Sequence, residues 1–262
     1  MKPDIKILLI GLVAVVILAV YSFADFNIGN DGYEVRKADF AALYRMPEER
    51  LGEADSVRKD TMKFMAYASH ANEKFYPDSA QNILFFGDSM LEGLCRRFID
   101  YADQNGHTLQ TVIWYSSSSE LWAKSDTLEY FLNKHKPTYV VVCLGSNELF
   151  VRDVDRRKEN IKKIVKTLGD LPYVWISPPN WKDDTGINDA IISVVGKNRY
   201  FDSRNLELAR GKDHAHPTFH AAAIWMDTIA RWIQSPACAN PILMEWPEKD
   251  VSPRNVTMLG PA

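Results

Sequence analysis

The chain has 262 residues, of which 46% are apolar, and its formal net charge is −3. This length fits one globular domain with additional segments, and the nearly balanced charge, without a basic stripe, argues against nucleic-acid binding. The three cysteines, Cys95, Cys143 and Cys238, are odd in number and widely spaced, so they indicate neither a disulfide framework nor a zinc site.

The N-terminal segment, residues 1–25, contains a run of eighteen uncharged and mostly apolar residues, Ile7–Ala24, with Lys2 and Lys6 before it. Such a run approaches the length that spans a bilayer, and the lysines favour a cytoplasmic N-terminus. We expect a single-pass anchor in the cell inner membrane, with the body on the periplasmic or extracytoplasmic side. A signal peptide cleaved near Ser22-Phe23-Ala24 is the alternative, and the protein would then be secreted.

Residues 26–81 are mixed and polar. Helical spacing occurs over Ala38–Arg45 and Val57–Ala71, and Tyr76-Pro77-Asp78-Ser79 breaks the chain before the first strong strand. We expect a stalk or a helical cover over this region.

Residues 82–234 alternate between strand and helix patterns. Five strands are predicted, at Asn82–Phe86, Leu109–Trp114, Thr138–Leu144, Tyr173–Ser177 and Arg199–Phe201. Five helices are predicted, at Met90–Gln104, Glu120–His135, Asp155–Leu168, Gly186–Val195 and Pro217–Ile233. This alternation predicts a parallel sheet with helices on both faces. The tail, residues 235–262, is rich in prolines and is predicted to be irregular and to lie on the surface.

Polar residues follow the ends of the predicted strands. They are Gly87-Asp88-Ser89, Tyr115 to Ser119, Gly145 to Glu148, Pro178 to Trp181, and Asp213 to Pro217 before the last helix. Because parallel strands end at one edge of a sheet, these residues are expected to share one crevice.

This set contains the parts of a nucleophilic site. Ser89 is the candidate nucleophile, His216 its base and Asp213 the group that orients the base. The Ser89 N–H, at a helix start, and the Asn147 side chain can hold an oxyanion. Each residue alone has an ordinary explanation as a helix cap, a turn or a structural histidine. Their joint occurrence, each at a strand end, favours a catalytic site.

The blocks G-D-S-M at Gly87, G-S-N-E at Gly145 and D-H-A-H-P at Asp213 resemble the SGNH (GDSL-like) hydrolase superfamily. The resemblance implies a flavodoxin-like three-layer α/β/α sandwich with five parallel strands in the order 2-1-3-4-5. It implies a serine hydrolase in which Ser89 is the nucleophile, Asp213 and His216 complete the triad, and Asn147 belongs to the oxyanion hole. No metal and no cofactor are expected.

The second block departs from the family. Members have a glycine there whose backbone N–H joins the oxyanion hole, whereas this chain has Ser116-Ser117-Ser118-Ser119. A serine amide can donate equally if its backbone angles fit, so Ser117 and Ser118 are both candidates. The departure also leaves room for an altered acyl acceptor.

Two other kinds of site are less consistent with these residues. Asp213, His214, His216 and His220 could ligate a metal, but no ligand cluster elsewhere completes the set. An α/β-hydrolase elbow requires G-x-S-x-G, and Leu91 stands where its second glycine belongs.

Aromatic and amide residues in the crevice loops bear on the substrate. Trp122, Asn180 and Trp181 are suited to stacking on and bonding to sugar rings, and the alternative is that both tryptophans only pack the loops. By analogy with exported family members, we expect removal or transfer of O-acetyl groups on cell-envelope glycans, beside a membrane-bound acyltransferase partner. The alternatives are a non-catalytic carbohydrate-binding or scaffold protein, and a lipase or thioesterase that acts on longer acyl esters.

Overall fold

A computed structural model describes residues 29–30, 33–34 and 79–261. The chain divides into two units, Met1–Asn72 and Glu73–Ala262. In the first unit, Gly29–Asn30 pairs antiparallel with Tyr33–Glu34. The predicted anchor and both predicted helices of the stalk lie outside the described residues. Among the residues that are described, no helix is long and apolar enough to cross a membrane.

The second unit is built on a parallel sheet of six strands. They are β1 (Asn82–Gly87), β2 (Thr108–Trp114), β3 (Tyr139–Cys143), β4 (Tyr173–Ile176), β5 (Tyr200–Phe201) and β6 (Val256–Leu259). Their order across the sheet is β5-β4-β3-β1-β2-β6, and every pair is parallel. The predicted order 2-1-3-4-5 is therefore present, and the carboxyl ends of all six strands meet at one edge.

Helices cover both faces of this sheet. They are α1 (Leu91–Gln104), α2 (Ser119–Lys124), α3 (Thr127–His135), α4 (Val154–Leu168), α5 (Ile187–Val195) and α6 (Phe219–Ile233). Along β1 the side chains alternate, so that Ile83 and Phe85 pack with α1 and α6 while Leu84 and Phe86 pack with the other four helices. Burial of both faces explains why β1 and β3 are apolar throughout rather than alternating. The predicted α/β/α fold class is confirmed.

Apart from shifts of one residue at the ends of elements, the structure differs from the prediction in three ways. The sheet has six strands instead of five, because the tail that was predicted to be irregular supplies β6 beside β2. The single helix predicted over Glu120–His135 is two helices, α2 and α3, separated at Ser125. Pro217 precedes the last helix instead of opening it, and the Thr218 hydroxyl caps that helix by accepting the N–H of Ala221.

Candidate active site

The strand-end glycine of the first block lets β1 and β3 approach closely. A methyl group added at Gly87 would lie 1.9 Å from the carbonyl oxygen of Cys143. The chain then turns, with the Asp88 N–H donating to that same carbonyl at 3.2 Å, and α1 begins at Leu91. Ser89 sits in this turn, and its backbone N–H has no acceptor among the described residues. The turn therefore offers both a hydroxyl and a free amide.

The last block forms a tight loop between residues 209 and 218. The Gly211 N–H donates to the carbonyl of His216 at 2.8 Å, and the Thr218 N–H donates to the carbonyl of Ala209 at 2.9 Å. From one side, the Arg210 guanidinium donates to the carbonyls of Ala215 and Asn180. These bonds fix the segment that carries the histidine against the loop that follows β4.

The three candidate catalytic side chains form one chain of contacts. The Nε2 atom of His216 lies 2.8 Å from the Ser89 hydroxyl oxygen, and its Nδ1 atom lies 2.6 Å from an Asp213 carboxylate oxygen. The other Asp213 oxygen accepts the N–H groups of Ala215 and His216, each at 3.1 Å. The bond to His216, with these two amides, lowers the pKa of Asp213 to about 2. Asp213 is thus ionised and oriented to hold the imidazole with Nδ1 protonated.

The third block places an amide beside the serine turn. Gly145 has φ of 123°, which a side chain would not readily allow, and this bends the chain sharply after β3. The Asn147 side chain then donates to the carbonyl of Ser117 at 2.9 Å. This bond uses one of the two hydrogens of the amide and fixes its plane, so the second remains available to an oxyanion.

The serine turn distinguishes between the two candidates for the missing glycine. Ser116 adopts φ of 59°, and the Ser117 N–H closes the turn by donating to the carbonyl of Trp114 at 3.1 Å. The backbone N–H of Ser118, by contrast, has no acceptor among the described residues. Ser118 is therefore the one of the two that retains a free donor.

The buried carboxylate of Glu148 fixes the serine turn by accepting two hydrogen bonds from Ser119. Glu148 is 1% exposed and accepts the Ser119 N–H at 2.8 Å and the Ser119 hydroxyl at 2.7 Å. The Nη1 atom of Arg157 lies 3.5 Å from a carboxylate oxygen of Glu148. Burial raises the pKa of Glu148, whereas the Ser119 bonds and Arg157 oppose that rise.

A second buried carboxylate adjoins the candidate nucleophile. Asp88 is fully buried, and one of its oxygens accepts the Met90 N–H at 3.0 Å. The other oxygen has no hydrogen-bond partner in the described part of the chain. Burial, reinforced by the nearby Glu148, raises the pKa of Asp88 to about 7.

Sequence reasoning gave no role to Asp88, Glu148 or Arg210. A signal was available for the two carboxylates, since each is a charge set inside a short motif that follows a fully apolar strand.

The residues predicted to bind substrate separate into two groups. Trp122 is 2% exposed, packs on Phe86 and Trp114, and donates its indole N–H to the hydroxyl of Ser117. That prediction was wrong, because α2 turns this side chain toward the sheet. Asn180 and Trp181 remain partly exposed in the loop after β4.

Cavities large enough for a small ligand occur among the described residues. One of about 620 Å³ is lined by the loop after β4 and the start of α5, including Asn180 and Trp181. A larger one of about 800 Å³ lies at the opposite edge of the sheet, where Lys136 and Leu171 lead into β3 and β4. None of the predicted site residues lines the larger cavity. Within residues 79–261, no group of three or more histidine, cysteine or acidic side chains is arranged to hold a metal ion.

No protein-family model matches the chain, and no curated protein matches it. Among solved structures, it is similar to a protein of Desulfitobacterium hafniense DCB-2 assigned to the lipolytic G-D-S-L family, with TM-score 0.43 and 15% identity over 58% of this chain and 98% of that one. It is also similar to TesA, with TM-score 0.46 and 17% identity over 60% of this chain and 99% of that one.

Proposed function

We propose that this chain is an SGNH-type serine enzyme that cleaves or transfers acyl esters through an acyl-enzyme. One observation carries the proposal: Ser89, His216 and Asp213 are joined by contacts of 2.8 Å and 2.6 Å at the edge where the parallel strands end. A nucleophile, a base and an orienting carboxylate in this relation are what acyl transfer requires.

In the proposed reaction, the Ser89 oxygen attacks the ester carbonyl while His216 Nε2 accepts the hydroxyl proton. The ionised Asp213 stabilises the imidazolium through Nδ1–H. The oxyanion accepts hydrogen bonds from the Ser89 and Ser118 amides and the Asn147 side chain. The alcohol leaves with the proton from His216, and an ester on Ser89 remains. Water or a sugar hydroxyl then attacks this ester with His216 as the base, which restores Ser89.

We further propose that the esters are O-acetyl groups on cell-envelope glycans, and that the reaction is deacetylation or transfer. The apolar run Ile7–Ala24 supports export and a membrane anchor, and a tethered enzyme gains effective concentration on an immobile glycan or on a membrane-bound acyltransferase partner. The half-exposed side chains of Asp213 and His216 favour an open site that a polymer can reach.

The proposal is tested with the full chain in mild detergent. Ser89→Ala should abolish hydrolysis of p-nitrophenyl acetate and labelling by a serine-directed phosphonate, with unchanged circular dichroism. The matched control is Ser125→Ala, another partly buried loop serine, which should keep both. Persistent turnover in Ser89→Ala would contradict the assignment of the nucleophile.

Acetylated xylan, acetylated peptidoglycan fragments and long-chain esters then separate the substrate classes. Acid released from acetylated glycans supports deacetylation, and acyl groups recovered on an added oligosaccharide support transfer. Release from long-chain esters alone would indicate a lipase or thioesterase. No labelling and no turnover of any ester would indicate a non-catalytic binding or scaffold protein.

A further inference from the structure

Two aromatic side chains and a cation stand together where β3 and β4 end. The rings of Phe150 and Trp181 meet edge to face, with centroids 6.2 Å apart and planes at 87°. The amine of Lys182 lies 5.4 Å from the Phe150 ring and 4.8 Å from the Trp181 ring. Phe150 is 54% exposed, so most of its ring faces solvent instead of the core. An exposed aromatic ring in a loop, beside a second ring, is available for contact with a ligand.

This pair is fixed to both sides of the candidate active site. The Trp181 indole N–H donates to the carbonyl of Ser146 at 3.1 Å, one residue before the oxyanion candidate Asn147. The preceding carbonyl, that of Asn180, accepts from Arg210 at 3.1 Å, and Arg210 also bonds the residue before His216. The aromatic pair therefore lies beside both arms of the site and in a set orientation.

The adjoining cavity has the size and lining of a sugar subsite. Its volume of about 620 Å³ falls in the range of small-ligand sites. Trp181 supplies an apolar wall, while Asn180, Lys182 and Asp183 supply polar groups. A sugar ring has apolar C–H faces and hydroxyl groups around its rim, so one aromatic wall with polar groups around it matches both features.

Several polar side chains of this cavity are already hydrogen-bonded or ion-paired within the protein. Only the remaining ones are free to bind a ligand. The Asp184 carboxylate accepts the N–H groups of Gly186 and Ile187 at 2.8 Å and so caps α5. Asp189 pairs with Arg204 at 2.9 Å. Within the described residues, Asp183 and Lys182 have no side-chain hydrogen bond or ion pair. These two, with the amide nitrogen of Asn180, are the groups open to hydroxyls.

We propose that this cavity and the pair Phe150–Trp181 form the subsite that holds the sugar ring next to the acylated hydroxyl. The inference rests on the proposed function, because it locates the glycan of that reaction. An acyl chain fits the cavity poorly, since it would strip water from Asp183 and Lys182 without replacing their hydrogen bonds. The subsite thus binds the alcohol portion of the ester and not the acyl portion.

The test compares a glycan ester with an ester that has no sugar. Phe150→Ala should raise KM for acetylated xylohexaose or an acetylated muropeptide about tenfold, equivalent to about 1.4 kcal/mol, because the sugar ring loses an aromatic contact. Phe150→Ala should keep kcat/KM on ethyl acetate within about twofold, because the two-carbon alcohol portion of that ester is too short to contact the aromatic pair. Phe150→Ala leaves the bond from Trp181 to the Ser146 carbonyl in place, so the backbone next to Asn147 should keep its position.

Trp246→Ala is the matched control. Trp246 is 60% exposed, meets Tyr101 edge to face at 6.2 Å and carries Arg97 at 4.8 Å over its ring, so it has the same kind of surroundings away from the site. This variant should leave the kinetic constants for both esters unchanged. Equal losses of kcat/KM on the glycan ester and on ethyl acetate in Phe150→Ala would show a structural role and overturn the subsite. Unchanged KM for both glycans would overturn it as well.

Direct binding separates a failed subsite from a failed reaction. Ser89→Ala should bind unacetylated xylohexaose or the unacetylated muropeptide in calorimetry, and the double variant Ser89→Ala with Phe150→Ala should bind about tenfold more weakly. If the wild type cleaves no ester but this difference is measured, the proposed reaction fails and the subsite stands. If the esters are cleaved but neither oligosaccharide binds, the reaction stands and the subsite fails.

Discussion

The two arms of the candidate site are built in opposite ways. The acid–base arm is exposed, with 52% of the Asp213 side chain and 42% of the His216 side chain open to solvent. The oxyanion arm is buried, and Ser117, Ser119 and Glu148 are at most 1% exposed. The first arm is held mainly by backbone hydrogen bonds and by Arg210. The second is held by buried side chains, which bond one another and the backbone of the serine turn.

This difference separates chemistry from folding. On the exposed arm, water replaces any hydrogen bond that is lost, so a substitution should reduce activity and leave stability nearly unchanged. On the buried arm, a lost partner leaves a polar group without water, which costs about 1–3 kcal/mol. The same kind of substitution should therefore reduce both activity and stability there.

The largest effect on activity is expected from the exposed arm. His216→Ala should lower kcat on p-nitrophenyl acetate by on the order of 10⁴-fold or more, because Ser89 loses its base. The free energy of unfolding, measured with urea, should change by less than about 0.5 kcal/mol. His220→Ala, an exposed histidine four residues further on, is the control and should alter neither quantity. A large loss of stability in His216→Ala would contradict the proposed division between the arms.

A smaller loss of activity, now coupled to stability, is expected on the buried arm. Asn147→Ala should lower kcat about 10²- to 10³-fold with little change in KM, since an oxyanion donor acts in the transition state. It should also cost about 1–3 kcal/mol, because the carbonyl of buried Ser117 loses its donor.

Asn105→Ala is the matched control for that prediction. Its side chain likewise donates to backbone carbonyls, those of Tyr101 at 2.8 Å and Glu245 at 3.0 Å, at the far end of α1. It should cost stability and leave kcat unchanged. If Asn147→Ala raised only KM, Asn147 would belong to substrate binding.

The exposed arm was also the easier one to predict from sequence. Ser89, Asp213 and His216 follow from motifs at strand ends. The five strands follow from apolar runs that alternate with helical spacing, and their order follows from the family resemblance. The sixth strand could not be predicted in this way. Val256–Leu259 has only four residues, is partly exposed and lies among prolines, so its place beside β2 depends on contacts distant in sequence.

The buried arm depends on details that no local pattern contains. Trp122 is an aromatic residue that follows a strand end, as expected for a residue of the crevice, yet the orientation of α2 buries it. The choice between Ser117 and Ser118 depends on one backbone bond, from Ser117 to the carbonyl of Trp114. Glu148 acts through Ser119, which is 29 residues away in sequence, so only the fold brings the two together.

Removing the charge of Glu148 should have a moderate effect on both kcat and the free energy of unfolding. Glu148→Gln should lower kcat about tenfold, because the serine turn loses one of two fixed bonds and its amides shift relative to Ser89. It should cost about 1–3 kcal/mol. Glu120→Gln is the control, since Glu120 bonds Lys124 and Arg157 near the surface and should cost under about 1 kcal/mol with full kcat. Equal behaviour of the two variants would remove the special role of Glu148.

At Asp88 we expect an effect on the pH dependence of stability. Its pKa of about 7 lies above the ordinary 3.8, so the folded state binds a proton more readily than the unfolded state. Stability contributed by this group is complete below about pH 4 and is lost as the pH rises toward 7. Asp88→Asn should remove this loss, which is on the order of 2–4 kcal/mol between pH 5 and 8, in urea unfolding compared with the wild type.

The carboxylates of Asp88 and Asp213, which lie on the buried and the exposed arm, should affect the pH dependence of stability in opposite ranges. The pKa of Asp213 is lowered to about 2, so its contribution to stability is present above pH 3.8 and is lost only below that. Asp213→Asn should therefore leave the dependence between pH 5 and 8 as in the wild type. His107 and His135, whose pKa values are lowered by burial, change stability near pH 6.5 in all three proteins, so their effect cancels in the differences. If Asp88→Asn kept the wild-type slope, Asp88 would be ionised throughout this range, and the network around Ser117 and Glu148 would have to stabilise a buried charge.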